Sequence, residues 1–98
     1  MFRTIALVET TEDADIDAIV GAARTMIDAD PHVLRGQVVP GLRLMARTLP
    51  EASYVMILDF EDQEGWRRYG AGEAHAAFAA FVADVITRST LAEYVVDS

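Results

Sequence analysis

Residues 54–69 read YVMILDFEDQEGWRRY, and the fold turns on how this stretch is divided. Tyr54–Glu61 is a run of β-formers interrupted only by Asp59, which predicts a strand. Strand side chains alternate between faces, so Tyr54, Met56, Leu58 and Phe60 point one way while Val55 and Ile57 point the other. Both faces are apolar. Asp62 then offers an N-cap to a short helix, QEGWRRY, and the glycines at 70 and 72 bring that helix to a stop.

Working outward, a second helix is expected from about Glu73 to Arg88, with Phe78, Phe81, Val82, Val85 and Ile86 as its buried stripe. LAEYVVD (Leu91–Asp97) closes the chain as strand 4. Upstream, FRTIALVE (Phe2–Glu9) predicts strand 1. A helix follows, with Thr11 able to cap it and Ile16, Ile19, Val20, Ala23 and Ile27 at helical spacing. Asp30-Pro31 ends that helix, because the residue before a proline avoids the α region. VLRGQVV (Val33–Val39) predicts strand 2, and Pro40-Gly41 marks a turn or bulge. Between them and residue 53, strand 2 either resumes at Leu42–Ala46 or the chain loops.

The order is β-α-β-β-α-β, an α+β, ferredoxin-like arrangement. It implies a four-stranded antiparallel sheet with both helices on one face. Strand 1 is apolar on both sides as strand 3 is, with Ile5 and Leu7 opposed to Phe2, Ala6 and Val8. Helices cover only one face, and an apolar face left in water is a sticky patch. A second copy packed sheet against sheet, forming a homodimer, covers it most economically.

The 98 residues, just over half of them hydrophobic, suit one domain spanning 1–98. No stretch approaches the ~20 apolar residues that span a bilayer, and residues 1–8 lack a secretory signal, so a cytoplasmic protein with no membrane partner is expected. The net charge is −8, with eight basic residues, all arginine. No basic stripe exists to displace counterions, which disfavours nucleic acid as a partner. Without lysine there is no Schiff-base chemistry. Without cysteine there is neither a disulfide nor a thiolate nucleophile. Two distant histidines, His32 and His75, lack the spacing of a metal site.

The chemistry that remains centres on YGAGEAH, Tyr69–His75. On one continuous helix the two outer side chains would stand about 120° apart; a break at the glycines lets them converge. His75 then lies in the first turn of a helix, where the macrodipole disfavours imidazolium while Glu73 favours it. That placement suits a proton acceptor, with Tyr69 donating a hydrogen bond to an oxygen gaining negative charge. From spacing alone a structural, hydrogen-bonding histidine is the commoner reading. His32 is expected as a surface turn residue. Glu61, Asp62 and Glu64 are expected to face water, and Trp66 to join the core or rim a pocket. Arg67 and Arg68 suit a solvated face, one of them within reach of Glu64. Arg35, Arg43 and Arg47 are candidates for collecting an anion. Asp59 is expected at the sheet edge rather than in a polar cavity.

The run from Tyr54 to Asp97 resembles the stress-responsive A/B barrel (Dabb) domain. The carriers are the strand ending Phe60-Glu61, then Tyr69, a short break, His75, the aromatic Phe78, and the closing strand ending Val95-Val96-Asp97. The N-terminal half fits through a first strand, an acidic helix and a second strand after Pro31. The resemblance implies a dimeric α/β barrel and, as in plant polyketide cyclases and related lyases of the family, chemistry without a cofactor. At the positions of Tyr69 and His75 those cyclases polarise and deprotonate the substrate. Two departures stand out. Arg3-Thr4 occupies the place of a histidine common at the start of strand 1, and Gly70-Ala71-Gly72-Glu73 replaces a common His-Pro pair.

The resulting expectation is a cofactor-independent cyclase, lyase or isomerase acting on a small hydrophobic carbonyl compound, aromatic or polyketide-like. His75 is its base and Tyr69 its oxyanion donor; Trp66, Phe78, Phe81, Met56 and Leu7 are candidates for an apolar wall. The competing readings are a non-catalytic, ligand-binding dimer and a monooxygenase of the antibiotic-biosynthesis type, which shares the dimeric barrel.

Overall fold

A computed structural model describes residues 1–42 and 52–97. The elements run β1 (Phe2–Thr10), α1 (Ile16–Ala29), β2 (Val33–Pro40), β3 (Tyr54–Phe60), α2 (Gln63–Gly70), α3 (Glu73–Val82) and β4 (Ile86–Val95). The four strands form one antiparallel sheet in the order β2-β3-β1-β4. This is the ferredoxin-like βαββαβ fold, its second crossover split into α2 and α3.

Register decides which residues share a face. Phe2 pairs with Phe60, Ala6 with Met56 and Val8 with Tyr54, so these side chains stand on the same side of the sheet. With Val38 and Leu58 they form one wall of the core. Ile19, Val20, Ala23 and Met26 of α1, Tyr69 of α2, and Phe78 and Val82 of α3 form the other, and apart from Met56, which is partly buried, none is more than 8% exposed. Each such burial contributes roughly 1.5–3 kcal/mol for the larger side chains. Helix α1 lies so close over β2 that a Cβ on Gly36 would come within 2.8 Å of the Ile27 side chain; a glycine is needed there for the approach itself.

Several boundaries differ from the expectations, among them β3, which ends at Phe60 rather than Glu61. Helix α1 is capped by Asp15, whose carboxylate accepts from the Ala18 N–H at 3.1 Å, and not by Thr11. The Thr11 N–H is already committed to the Val85 carbonyl at 2.8 Å, and its buried hydroxyl has no partner among the described residues. Helix α3 ends at Val82 rather than Arg88, and β4 starts at Ile86 rather than Leu91 and ends at Val95 rather than Asp97. Val85 and Ile86 fall at helical spacing, yet the ladder from Thr10↔Ile86 to Phe2↔Val95 claims this segment for β1. Both residues still pack against the core, but from the turn and the strand.

At the neck after β2, the Gly41 N–H donates to the Ser53 carbonyl at 2.8 Å. The remainder of that segment, with Arg43, Arg47 and any continuation of strand 2 to Ala46, lies outside the described residues.

The other face of the sheet carries no helix. It presents Arg3, Ile5 and Leu7 from β1, Val55, Ile57 and Asp59 from β3, and Tyr94 from β4. Asp59 is not at a sheet edge. It sits on an inner strand, 2% exposed, where Arg3 donates to both its oxygens, at 2.6 and 3.0 Å, and the Arg35 Nε lies 3.5 Å away. The Arg3 hydrogen bonds hold its carboxyl below the usual carboxylate range.

Candidate functional site

Helix α2 begins at Asp62, whose carboxylate accepts from the Gly65 N–H at 2.9 Å. On its outer surface Arg68 meets Glu64 at 3.3 Å. The turn into α3 is tight: the Ala71 N–H reaches the Arg67 carbonyl and the Gly72 N–H the Tyr69 carbonyl, each at 3.1 Å. Ala71 keeps a right-handed conformation and Gly72, the N-cap of α3, is extended at φ −83°, ψ 164°. Neither Gly70 nor Gly72 adopts a left-handed conformation. The break therefore comes from the extended backbone at Gly72, not from a conformation reserved to glycine.

The turn achieves what a continuous helix would not. The rings of Tyr69 and His75 meet edge to face, with centroids 5.1 Å apart and planes at 72°. On its other side the Tyr69 ring lies 5.2 Å from Phe60. His75, in the first turn of α3, is half-buried.

Tyr69 is 6% exposed, and its hydroxyl donates to the Met26 sulfur at 3.4 Å. Burial, reinforced by the charge of Asp30 and by Tyr54, pushes its ionisation up to about 12. The phenol thus stays protonated through the physiological range and acts as a donor. Burial likewise pushes Tyr54 up to about 12.

Asp30 was not singled out by sequence reasoning. It is a buried carboxylate at the C-terminus of α1. It accepts from the His32 N–H at 2.8 Å and lies 3.0 Å from the His32 Nδ1. His32 is therefore not a bare surface residue but a half-buried partner of Asp30. An aspartate bonding to the N–H two residues on is a turn signature, and Asp30-Pro31-His32 carries it; what the signature does not reveal is that the charge of this carboxylate also acts on Tyr69.

The proposed wall residues separate into three groups. Phe78 and Phe81 line a groove of about 410 Å³ between α1 and α3. Helix α1 gives that groove Ala22, Thr25, Met26 and Ala29; α3 gives it Ala74 and Ala77 as well. Trp66 packs on Phe2 with centroids 5.5 Å apart, and Met56 packs against the core; neither lines the groove. Leu7 does not join the site. An odd-numbered position on β1, it stands 45% exposed on the helix-free face, as the two-residue period of a strand requires. Among the described residues no three His, Cys, Asp or Glu side chains gather as a metal site would need, and no helix is long and apolar enough to cross a membrane.

No family model and no curated protein matches the sequence. Solved structures do match. A dimeric ferredoxin-like protein of unknown function from Thermobifida fusca superposes with a TM-score of 0.84 at 18% identity, over 97% of this chain and 90% of that one. A Dabb family protein with a ferredoxin-like fold from Mesorhizobium loti gives 0.76 at 15%, over 99% and 97%. An antibiotic biosynthesis monooxygenase gives 0.72 at 16%, over the whole of both chains. The chain is thus a ferredoxin-like α+β protein of the kind these structures share. The resemblance to the Dabb domain drawn from Tyr54–Asp97 is met by a Dabb family protein among the matching folds.

Proposed function

We propose that the protein is a homodimer, joined through the helix-free sheet face, that binds a small hydrophobic carbonyl compound at Tyr69 and His75 and catalyses its enolisation as a cyclase, lyase or isomerase. The observation that carries this reading is the Tyr69 hydroxyl: a buried, protonated donor whose acceptor is a thioether, set edge-on to an imidazole 5.1 Å away. A ligand carbonyl is a better acceptor than sulfur. With the carbonyl held there, His75 takes a proton from the adjacent carbon and Tyr69 stabilises the enolate oxygen. No metal or cofactor enters the scheme. The dimer is supported by the description of the Thermobifida fusca protein as dimeric and by the half-buried Ile5, Val55 and Ile57 on the open face.

The test is exchange of the α-protons of a 1,3-diketone into D2O, followed by ¹H NMR. The wild-type protein accelerates exchange over buffer, and His75→Ala removes the acceleration while the diketone still binds. Binding without exchange in the wild type would replace this reading with a non-catalytic ligand-binding dimer. A second enzymatic reading, oxidation of the ligand by dissolved oxygen, is favoured by the fold shared with an antibiotic biosynthesis monooxygenase; turnover that stops under anaerobic conditions would select it.

A further inference from the structure

The groove between α1 and α3 is walled by small side chains from both helices. Ala22 and Ala29 on α1 and Ala74 and Ala77 on α3 line it, and small residues let helices approach closely, since interaxial distance follows the side chains at the contact. Yet about 410 Å³ stays open between them, and Phe81 stands at its rim, 55% exposed. Met26 forms part of the wall and is itself buried. Behind its sulfur, at 3.4 Å, is the Tyr69 hydroxyl. Buried phenols ordinarily find an oxygen or nitrogen acceptor; this one, more than nine-tenths buried, is aimed at the flexible side chain between it and the groove.

We infer that the groove holds the apolar body of a neutral carbonyl ligand and that Met26 is its gate. When the Met26 side chain turns away, the ligand's carbonyl oxygen replaces the sulfur as acceptor of the Tyr69 hydroxyl. The inference rests on the role of Tyr69 given above and adds the route of entry, the seat of the ligand's body and its chemical class. Methionine suits a gate because it is unbranched and has three rotatable bonds. The volume lies within the range of about 300–1,000 Å³ usual for small-ligand sites, enough for one aromatic ring with a short alkyl chain. Among the described residues no charged side chain lines the groove, and the Thr25 hydroxyl donates to the Gly21 carbonyl at 3.1 Å. Nothing there would compensate a desolvated carboxylate or phosphate, so neutral ketones are selected over acids of the same shape.

The experiment uses valerophenone as probe and protein labelled with [¹³C-methyl]methionine, the Met26 signal being assigned by its absence in Met26→Leu. Valerophenone is expected to shift the Met26 methyl resonance. Phe81→Ala, at an exposed position, is expected to weaken binding about tenfold, as loss of an aromatic contact would. Met26→Ala is expected to bind at least as tightly as wild type and faster, and 5-phenylvalerate to bind more weakly than the ketone. An unmoved Met26 methyl at saturating ketone, a dissociation constant indifferent to both Phe81→Ala and Met26→Ala, or no binding up to the solubility of the probe would overturn the inference. Diketone exchange that needs His75 but ignores Met26 and Phe81 sinks the groove and leaves the catalytic reading standing. Binding that follows Met26 and Phe81 without exchange in any variant does the reverse.

Discussion

The two faces of the sheet are built from the same strands and yet are different environments. Toward the helices, Phe2, Ala6, Val8, Tyr54, Leu58 and Phe60 are closed off from water by side chains of the same chain. On the opposite side, Ile5, Val55 and Ile57 are only half-buried and Leu7 is exposed, while Asp59, buried among them, is an ion. One face is closed by the fold; the other keeps half-exposed apolar surface around a paired ion. The contrast explains why the candidate site lies on the helix side. There burial raises the ionisation of the Tyr69 phenol further above its ordinary value, and Met26, whose sulfur accepts from its hydroxyl, also lines the groove between the helices.

The largest effect expected from breaking this contrast is at Phe60. Phe60→Ala should destabilise the protein by about 3–5 kcal/mol, as large-to-small core substitutions do, measured by chemical denaturation. Ile57→Ala, three positions away on the other face, should cost much less of that free energy and instead raise the dimer dissociation constant in analytical ultracentrifugation. An unchanged association state would mean that the open face is not the interface.

A smaller effect is expected at Asp59. Its folded-state ionisation is lowered by Arg3, so its contribution is present above the ordinary carboxylate value of about 3.9 and fades as the pH falls through the lower, folded value. Wild-type stability should therefore drop below about pH 4, and Asp59→Asn, already weaker at neutral pH, should show less of that acid-dependent loss. Equal acid slopes in the two proteins would contradict the pairing.

The smallest is at Tyr69. Tyr69→Phe removes a hydroxyl whose partner among the described residues is a sulfur and should change neutral-pH stability by less than about 1 kcal/mol. Because the folded phenol ionises at about 12 and the unfolded one at 10, the folded state holds its proton more tightly between those values. Wild-type stability thus falls as the pH rises from 10 to 12, and Tyr69→Phe should lose part of that slope, leaving the share due to Tyr54.

Much of this was legible in the sequence where the signal is local. The two-faced strand expected over Tyr54–Glu61, the cap at Asp62 and the break that brings Tyr69 to His75 all follow from neighbouring residues, and the structure has all three, the strand one residue shorter. The boundary between α3 and β4 was not legible, because Val85 and Ile86 fit a helical stripe and only pairing with β1 decides otherwise. Asp59 reads as an edge residue until Arg3, distant in the chain, is placed beside it. The groove was hidden for the same reason: alanines at one-face spacing on α1 and α3 look like ordinary packing surfaces until the two helices stand side by side. Leu7 was drawn into the wall by its hydrophobicity, although its strand position puts it on the other face.

The central claim is that Tyr69 donates its hydrogen bond to a ligand carbonyl. The most direct measurement is the ¹³C shift of valerophenone labelled at its carbonyl carbon, bound to wild type, Tyr69→Phe and His75→Ala. A downfield shift that is retained in His75→Ala and collapses in Tyr69→Phe is the expected result. A bound carbonyl whose shift is the same with and without the Tyr69 hydroxyl would contradict the account.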